Sequence, residues 1–408
     1  MKKIVLVTLL FFTTAIGFSQ KNMVVSAYNY HKSGKLDKAK EAIDKASVHP
    51  KTVAMAKTWY YRGNIYIDIY NSTNEEYKKL DPDALNKAYE AYKKALELDT
   101  KKTYYIEILA RMPIVGESFF NYGANLYNEG QTALDAKDTV TANYEFGKSV
   151  KAFENAYQIY KDAGSEDSLT IYYIAVAAEL GHDYDKAKKS LETLVAMNYP
   201  EPGIYSSLAG IYYNQDKDAE KAAAVYADGR GKYPNNLSLL LNETNFLLAN
   251  KQTNKALSNL ELAAKLDTTN ATIFFAIGAN YNQIVDDSTS TPEMKEEAFN
   301  RTIKAYNKAI EIRPDYFDPN YNMGALYVNK AAILIDEANQ LPFEEQAKYD
   351  ELKAKADEYL ETCLPYLEKA HQILPDDMST LYSLKEIYAR LGNDVKTKEI
   401  NTLIDAQH

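Results

Sequence analysis

Residues 203–234 read GIYSSLAGIYYNQDKDAEKAAAVYADGRGKYP. Their apolar and small residues fall into two helical stripes, Tyr205, Leu208, Ala209 and Tyr212 in the first and Ala222, Tyr226 and Gly229 in the second, with a polar turn over Asn214–Asp218 between them. Two helices of about twelve residues, each apolar on one side, cannot bury both sides against each other alone. Such a unit is stable only when stacked on neighbours.

The same spacing recurs along the chain: an aromatic or apolar lead, a small residue four later, and a tyrosine three after that. Trp59, Gly63 and Tyr66 fit it, as do Phe120, Ala124 and Tyr127; Phe274, Gly278 and Tyr281; and, with Asn in the lead, Asn320, Gly324 and Tyr327. Second-helix patterns follow in order, among them Ala88, Tyr92 and Ala95; Ser149, Phe153 and Ala156; Thr302, Tyr306 and Ala309; and Cys363, Leu367 and Ala370. Pro234, Pro314 and Pro375 close second helices, because proline lacks the helical donor and disfavours helix in the residue before it.

This pattern resembles the tetratricopeptide repeat (TPR) family, a helix-turn-helix unit of thirty-four residues with those residue types at those spacings. The resemblance implies an all-α, right-handed α-solenoid of about nine units: 21–50, 56–100, 117–161, 168–200, 202–234, 237–268, 271–314, 317–375 and 378–405. Together they make one solenoid over 20–408. Four units carry extra residues between their helices, near Asp68–Asp83, Asn128–Glu145, Ile284–Glu297 and Val328–Leu360, and most of this is expected to be helix. In the last of them the break falls near Leu341–Pro342, and Pro365 should kink the returning helix. Asp81–Pro82, Thr291–Pro292 and Asp318–Pro319 read as helix starts with proline in the first turn.

Residues 1–19 read as a cleaved secretory signal, with Lys2 and Lys3 before a short apolar run and Gly17 and Ser19 flanking the cleavage point. The run is short of the roughly 20 residues a membrane span needs. The mature chain is therefore expected to be exported, in the periplasm rather than fully secreted. The tyrosine- and asparagine-rich composition and the signal ending resemble exported proteins of the Bacteroidota. With 47 basic against 57 acidic residues, the chain carries a net charge of −10, and its cations are interleaved with carboxylates. Nucleic acid is a poor partner for such a surface.

No catalytic constellation emerges. There is no phosphate loop and no HExxH; His31, His49, His182, His371 and His408 are scattered, and Cys363 is the single cysteine. No enzyme activity, cofactor or metal is expected. The 35 tyrosines are the compositional anomaly. Tyr66, Tyr127, Tyr212, Tyr226, Tyr281, Tyr306 and Tyr327 occupy repeat-signature positions and read as packing. Others lie next to the signature in first helices, where the resemblance implies a concave binding face: Tyr60, Asn64, Asn121, Asn125, Tyr172, Tyr213, Asn245, Phe275, Asn282, Tyr321 and Tyr382.

That set is rich in rings and amides, which suit a peptide backbone or simply cover an inner surface. The function expected is a non-enzymatic scaffold of the cell envelope holding a protein or peptide in this groove. The alternative is a glycan-binding accessory protein using the same tyrosines and asparagines. The partner's identity and the oligomeric state stay open.

Overall fold

The computed structural model describes residues 23–407; the signal segment expected at 1–19 and His408 lie outside the described residues. All regular structure among the described residues is helical. The chain divides into two compact units, one up to Ala222 and one from Ala223. The first holds α1 (23–32), α2 (Leu36–Val48), α3 (Ala56–Tyr70), the single turn α4 (Glu75–Lys78), α5 (Ala84–Leu98), α6 (Tyr105–Asp135), α7 (Thr139–Asp162), α8 (Ser168–Leu180), α9 (Tyr184–Ala196) and α10 (Gly203–Asn214). α11 (Ala219–Lys232) begins in the first unit and ends in the second. The second unit continues with α12 (Leu237–Ala249), α13 (Thr253–Leu266), α14 (Ala271–Asp286), α15 (Pro292–Ile312), α16 (Phe317–Asn339), a 3₁₀ turn at Phe343–Glu345, α17 (Gln346–Ile373), α18 (Met378–Arg390) and α19 (Asp394–Asp405).

Helix starts are set locally. Asp138, Asp167, Asp183, Asn236, Asn270, Thr291, Asp377 and Asn393 each accept a backbone N–H in the first turn of the helix they precede. Each satisfies a donor that the helix itself cannot. The turn inside the short hairpins demands a left-handed residue. Gly34 (φ +72°) and Gly392 (φ +73°) supply it without strain, whereas His182, Lys217 and Lys251 adopt φ near +60° with a side chain present.

Helix pairing is driven by close approach. A methyl group built on Gly63 would lie 2.5 Å from the ring of Tyr92, and one on Gly324 would lie 2.5 Å from Leu367. In the long α6–α7 hairpin this becomes a ladder: Gly116, Gly123 and Gly130 meet Tyr160, Phe153 and Phe146 in turn. Both series advance by seven residues in opposite directions, so the two helices run antiparallel with one seam over four turns. Phe146 and Phe153 are fully buried there.

Several sequence expectations shift. The signature Phe120, Ala124, Tyr127 is one residue out of register: Gly123 makes the close approach, flanked by buried Phe119 and Leu126. α6 also starts at Tyr105, well before residue 117. It continues through Pro113 because Leu109 and Pro113 are both exposed, leaving water to serve the freed carbonyl. The insertion at 71–83 is mainly loop, since Ser72, Asn74 and Asp81 turn their side-chain oxygens onto nearby backbone N–H groups and so compete with helix. Pro82 accordingly precedes α5 and does not lie in its first turn. Pro292 opens α15 as expected, and α17 runs on through Pro365 without ending.

Candidate binding surface

Three of the expected groove aromatics are held by the chain itself. Tyr60 stacks on Tyr104 (centroids 4.8 Å, interplanar 23°), Tyr172 on Tyr199 (5.4 Å, 24°), and Phe275 packs against Tyr316 (5.4 Å, 56°). In each case the partner lies in the segment that leaves the second helix, so the linker folds back over the first helix and clasps its ring. The guanidinium of Arg313 covers the other ring of the third clasp, 3.5 Å from the centroid of Tyr316. Burial, followed by the nearby Glu201 carboxylate, raises the pKa of Tyr172. Tyr60 is likewise raised, by burial and then by a hydrogen bond to Glu107.

Tyr60 and Asn64 are buried, at 9% and 5% exposure. Asn64 Oδ1 accepts the hydroxyl of Tyr92 at 2.7 Å. Asn64 is therefore part of the packing between α3 and α5, Tyr60 packs against the linker that follows α5, and both have little surface to offer a partner. Asn121 and Asn125 are exposed because the register of α6 places Phe120 and Ala124 where α3 has Tyr60 and Asn64. Phe120 packs edge-on to Phe153 and Tyr173. Tyr213 is half-buried at the end of α10. In the second unit, Asn245 and Tyr382 are exposed, Tyr321 stacks on Phe317 (5.7 Å, 10°), and Asn282 donates to Asp286 at 3.2 Å. The surface set available to a ligand is thus Asn121, Asn125 and the edge of Tyr172 in one unit, and Asn245 and Tyr382 in the other.

The signature tyrosines do more than pack. Tyr212 donates to Glu192 (2.6 Å) with Lys221 over its ring, and Tyr281 donates to Glu261 (2.7 Å) while Arg301 reaches both. Tyr388 donates to Glu368, which also pairs with Lys396. Tyr66 donates to Asp44 (2.7 Å), with Lys40, Arg62 and Lys87 around its ring. In all four a first-helix hydroxyl bonds a carboxylate on the preceding second helix, while a cation meets the same tyrosine at its hydroxyl or over its ring, tying one hairpin to the next. The hydroxyl proton is held accordingly: Tyr212 is pushed up to about 12 mainly by its bond to Glu192, and Tyr388 to about 12 by burial and then Glu368. Sequence reading missed this. Its signal was a spacing of twenty residues from glutamate to tyrosine, repeated at Glu192–Tyr212, Glu261–Tyr281 and Glu368–Tyr388.

A second feature missed is an open cleft of about 690 Å³ between the second helices α13 and α15, floored by α14. Ala264, Phe274, Ile277 and Ala305 form its apolar floor, and lysines line its rim. Among the described residues no group of three or more His, Cys, Asp or Glu side chains is arranged to hold a metal, and no helix is long and apolar enough to cross a membrane. Cys363 is buried, donates to the Leu360 carbonyl, and has its thiol pushed up to about 12 by burial. A thiol so protonated is a poor nucleophile.

Residues 294–330, covering most of α15 and the first turns of α16, match the family model described as TPR repeat. No curated protein matches the chain. Among solved structures, the C-terminal part of a TPR repeat-containing protein from Cytophaga hutchinsonii aligns over 70% of this chain and 94% of its own, at 14% identity and a TM-score of 0.44. A TPR repeats protein from Bacteroides fragilis aligns over 66% and 98%, at 21% identity and a TM-score of 0.29. YrrB, a TPR protein with an unusual peptide-binding site, aligns over 48% and 89%, at 14% identity and a TM-score of 0.34. Residues 294–330 thus carry the family's repeat, and the described chain around them is an all-α array of helical hairpins.

Proposed function

We propose that the chain is an exported, non-enzymatic scaffold of the cell envelope that binds a protein or peptide through the exposed residues of its first helices. The observation that carries this reading is the set Asn121, Asn125, Asn245 and Tyr382. All four are exposed, Asn121 and Asn125 on α6 and Asn245 and Tyr382 on the capped helices α12 and α18, and none has a side-chain hydrogen bond or ring partner within the described residues. Amides held open in this way offer both a donor and an acceptor to an extended backbone, and a ring adds flat contact area at low entropic cost. Export rests on residues 1–19, whose cleavage would leave Gln20 as the new N-terminus.

The test is crosslinked capture from the envelope fraction of the native host, with the N-terminus of the captured bait read by mass spectrometry. Wild type is expected to retain a discrete protein partner. The quadruple alanine variant at Asn121, Asn125, Asn245 and Tyr382 is expected to lose it at unchanged melting temperature. Capture that is absent in wild type, or undiminished in the variant, rejects the reading.

A further inference from the structure

The cleft between α13 and α15 has a rim whose charge the chain leaves unbalanced. Arg301 is engaged with Glu261 and Glu297, and Lys308 with Glu311. Lys265 and Lys304 are exposed on the same rim and have no carboxylate within ion-pair distance among the described residues. In a chain of net charge −10, this is a cationic opening above an apolar floor.

The complement of that opening lies on the same unit. Past Lys330, which meets Glu296 of α15 at 3.1 Å, α16 runs on to Asn339, about 14 Å further at 1.5 Å per residue. Its hairpin with α17 ends in Leu341, Pro342, Phe343, Glu344 and Glu345. Phe343 is 89% exposed, more than any other large apolar side chain among the described residues. Glu344 and Glu345 are exposed beside it and have no cation within ion-pair distance. Pro342 has an extended backbone (φ −61°, ψ 152°), and the 3₁₀ turn Phe343–Glu345 follows it. A projecting aromatic with paired carboxylates matches an apolar cleft with paired lysines in both polarity and charge.

We propose that the hairpin tip of one copy of this chain seats Phe343 in the cleft between α13 and α15 of a second copy, with Glu344 and Glu345 against Lys265 and Lys304. The two surfaces differ, so the contact is head-to-tail: each bound copy still offers a free tip or a free cleft, and association continues until a ring closes. This inference stands apart from the first-helix binding surface and does not depend on capture of any other protein.

Sedimentation velocity of the full mature chain tests it, from micromolar to near-millimolar concentration at low and high salt. Wild type is expected to show a sedimentation coefficient that rises with concentration, less steeply at high salt because the charges are exposed. Phe343→Ser alone and Lys265→Glu/Lys304→Glu alone are each expected to abolish the rise. All three positions are on the surface, and unchanged circular dichroism verifies the fold. The two variants mixed in equal amounts should form a dimer that grows no further, because one keeps its cleft and the other its tip. Glu344→Lys/Glu345→Lys added to the lysine-reversal chain should restore the rise. A wild type that stays monomeric throughout, single variants that associate as wild type does, or a mixture that stays monomeric overturns the proposal.

Discussion

Gly63→Ala tests whether close helix approach holds each hairpin together. The added methyl would sit 2.5 Å from Cδ1 and Cε1 of Tyr92, against about 3.5 Å for an ordinary carbon contact, so ring or helix must give by about 1 Å. Tyr92 is fully buried and its hydroxyl is bound to Asn64, which leaves the ring nowhere to go. Overpacking of this kind costs roughly 1–3 kcal/mol, and the tethered ring places the cost near the upper end. Alanine returns about 1 kcal/mol of helix propensity over glycine. The net expectation is a loss of about 2 kcal/mol, confined largely to the α3–α5 hairpin. Urea unfolding measures the total, and hydrogen exchange of the α3 and α5 amides locates it, since hairpin arrays open unit by unit. Two comparisons isolate the cause. Gly147→Ala, in α7 with nothing within 4 Å of the new methyl, is expected to stabilise by up to about 1 kcal/mol. In a Tyr92→Ala background, Gly63→Ala is expected to turn neutral or stabilising, because the obstructing ring is gone. If Gly63→Ala matched wild type in both midpoint and exchange, close approach at this position would not limit the packing.

Tyr281→Phe removes the hydroxyl that bridges Glu261 and Arg301 and is expected to cost roughly 0.5–1.5 kcal/mol. A double-mutant cycle with Glu261→Gln should show coupling above experimental error, whereas independent additive losses would mean that the contact is incidental. Tyr92→Phe strands Asn64 Oδ1 in the hairpin interior and is expected to lose about 1–3 kcal/mol by urea unfolding. For pH, Lys396 and Tyr388 hold the Glu368 carboxyl below its ordinary value, so the stability it contributes is present at neutral pH and disappears as pH falls through that depressed value. Lys396 is raised to about 12 by Glu368 and Tyr388, so its contribution is full below the ordinary lysine range and disappears as pH rises through about 12. Glu368→Gln is expected to flatten the acid limb of the stability curve by on the order of 1 kcal/mol or less, as the pair is partly exposed. An acid limb unchanged by the substitution would remove Glu368 as its source.

Most of the hairpin architecture was legible in the sequence because its determinants are local. Helical stripes, capping residues and terminating prolines act within a few residues of themselves, and they located α10, α11, α14 and α15 closely. Three features were not legible. The register of α6 depended on which of two adjacent small residues, Gly123 or Ala124, met Phe153, and only the partner helix decides that. The fate of Tyr60, Tyr172 and Phe275 depended on linkers that return over them, which no helical period encodes. The second-helix cleft exists because α13 and α15 leave space above Phe274 and Ile277, and spacing between neighbouring elements has no signature in either one alone.

By itself, then, the sequence determined that this chain is a series of amphipathic helical hairpins. Periodicity and capping energetics belong to each segment separately. The tertiary structure decided which polar and aromatic side chains are consumed in holding hairpins together and which remain on the surface. It separated buried Asn64 from exposed Asn125 and clasped Tyr172 from open Tyr382, because burial is set by contacts between segments distant in the chain.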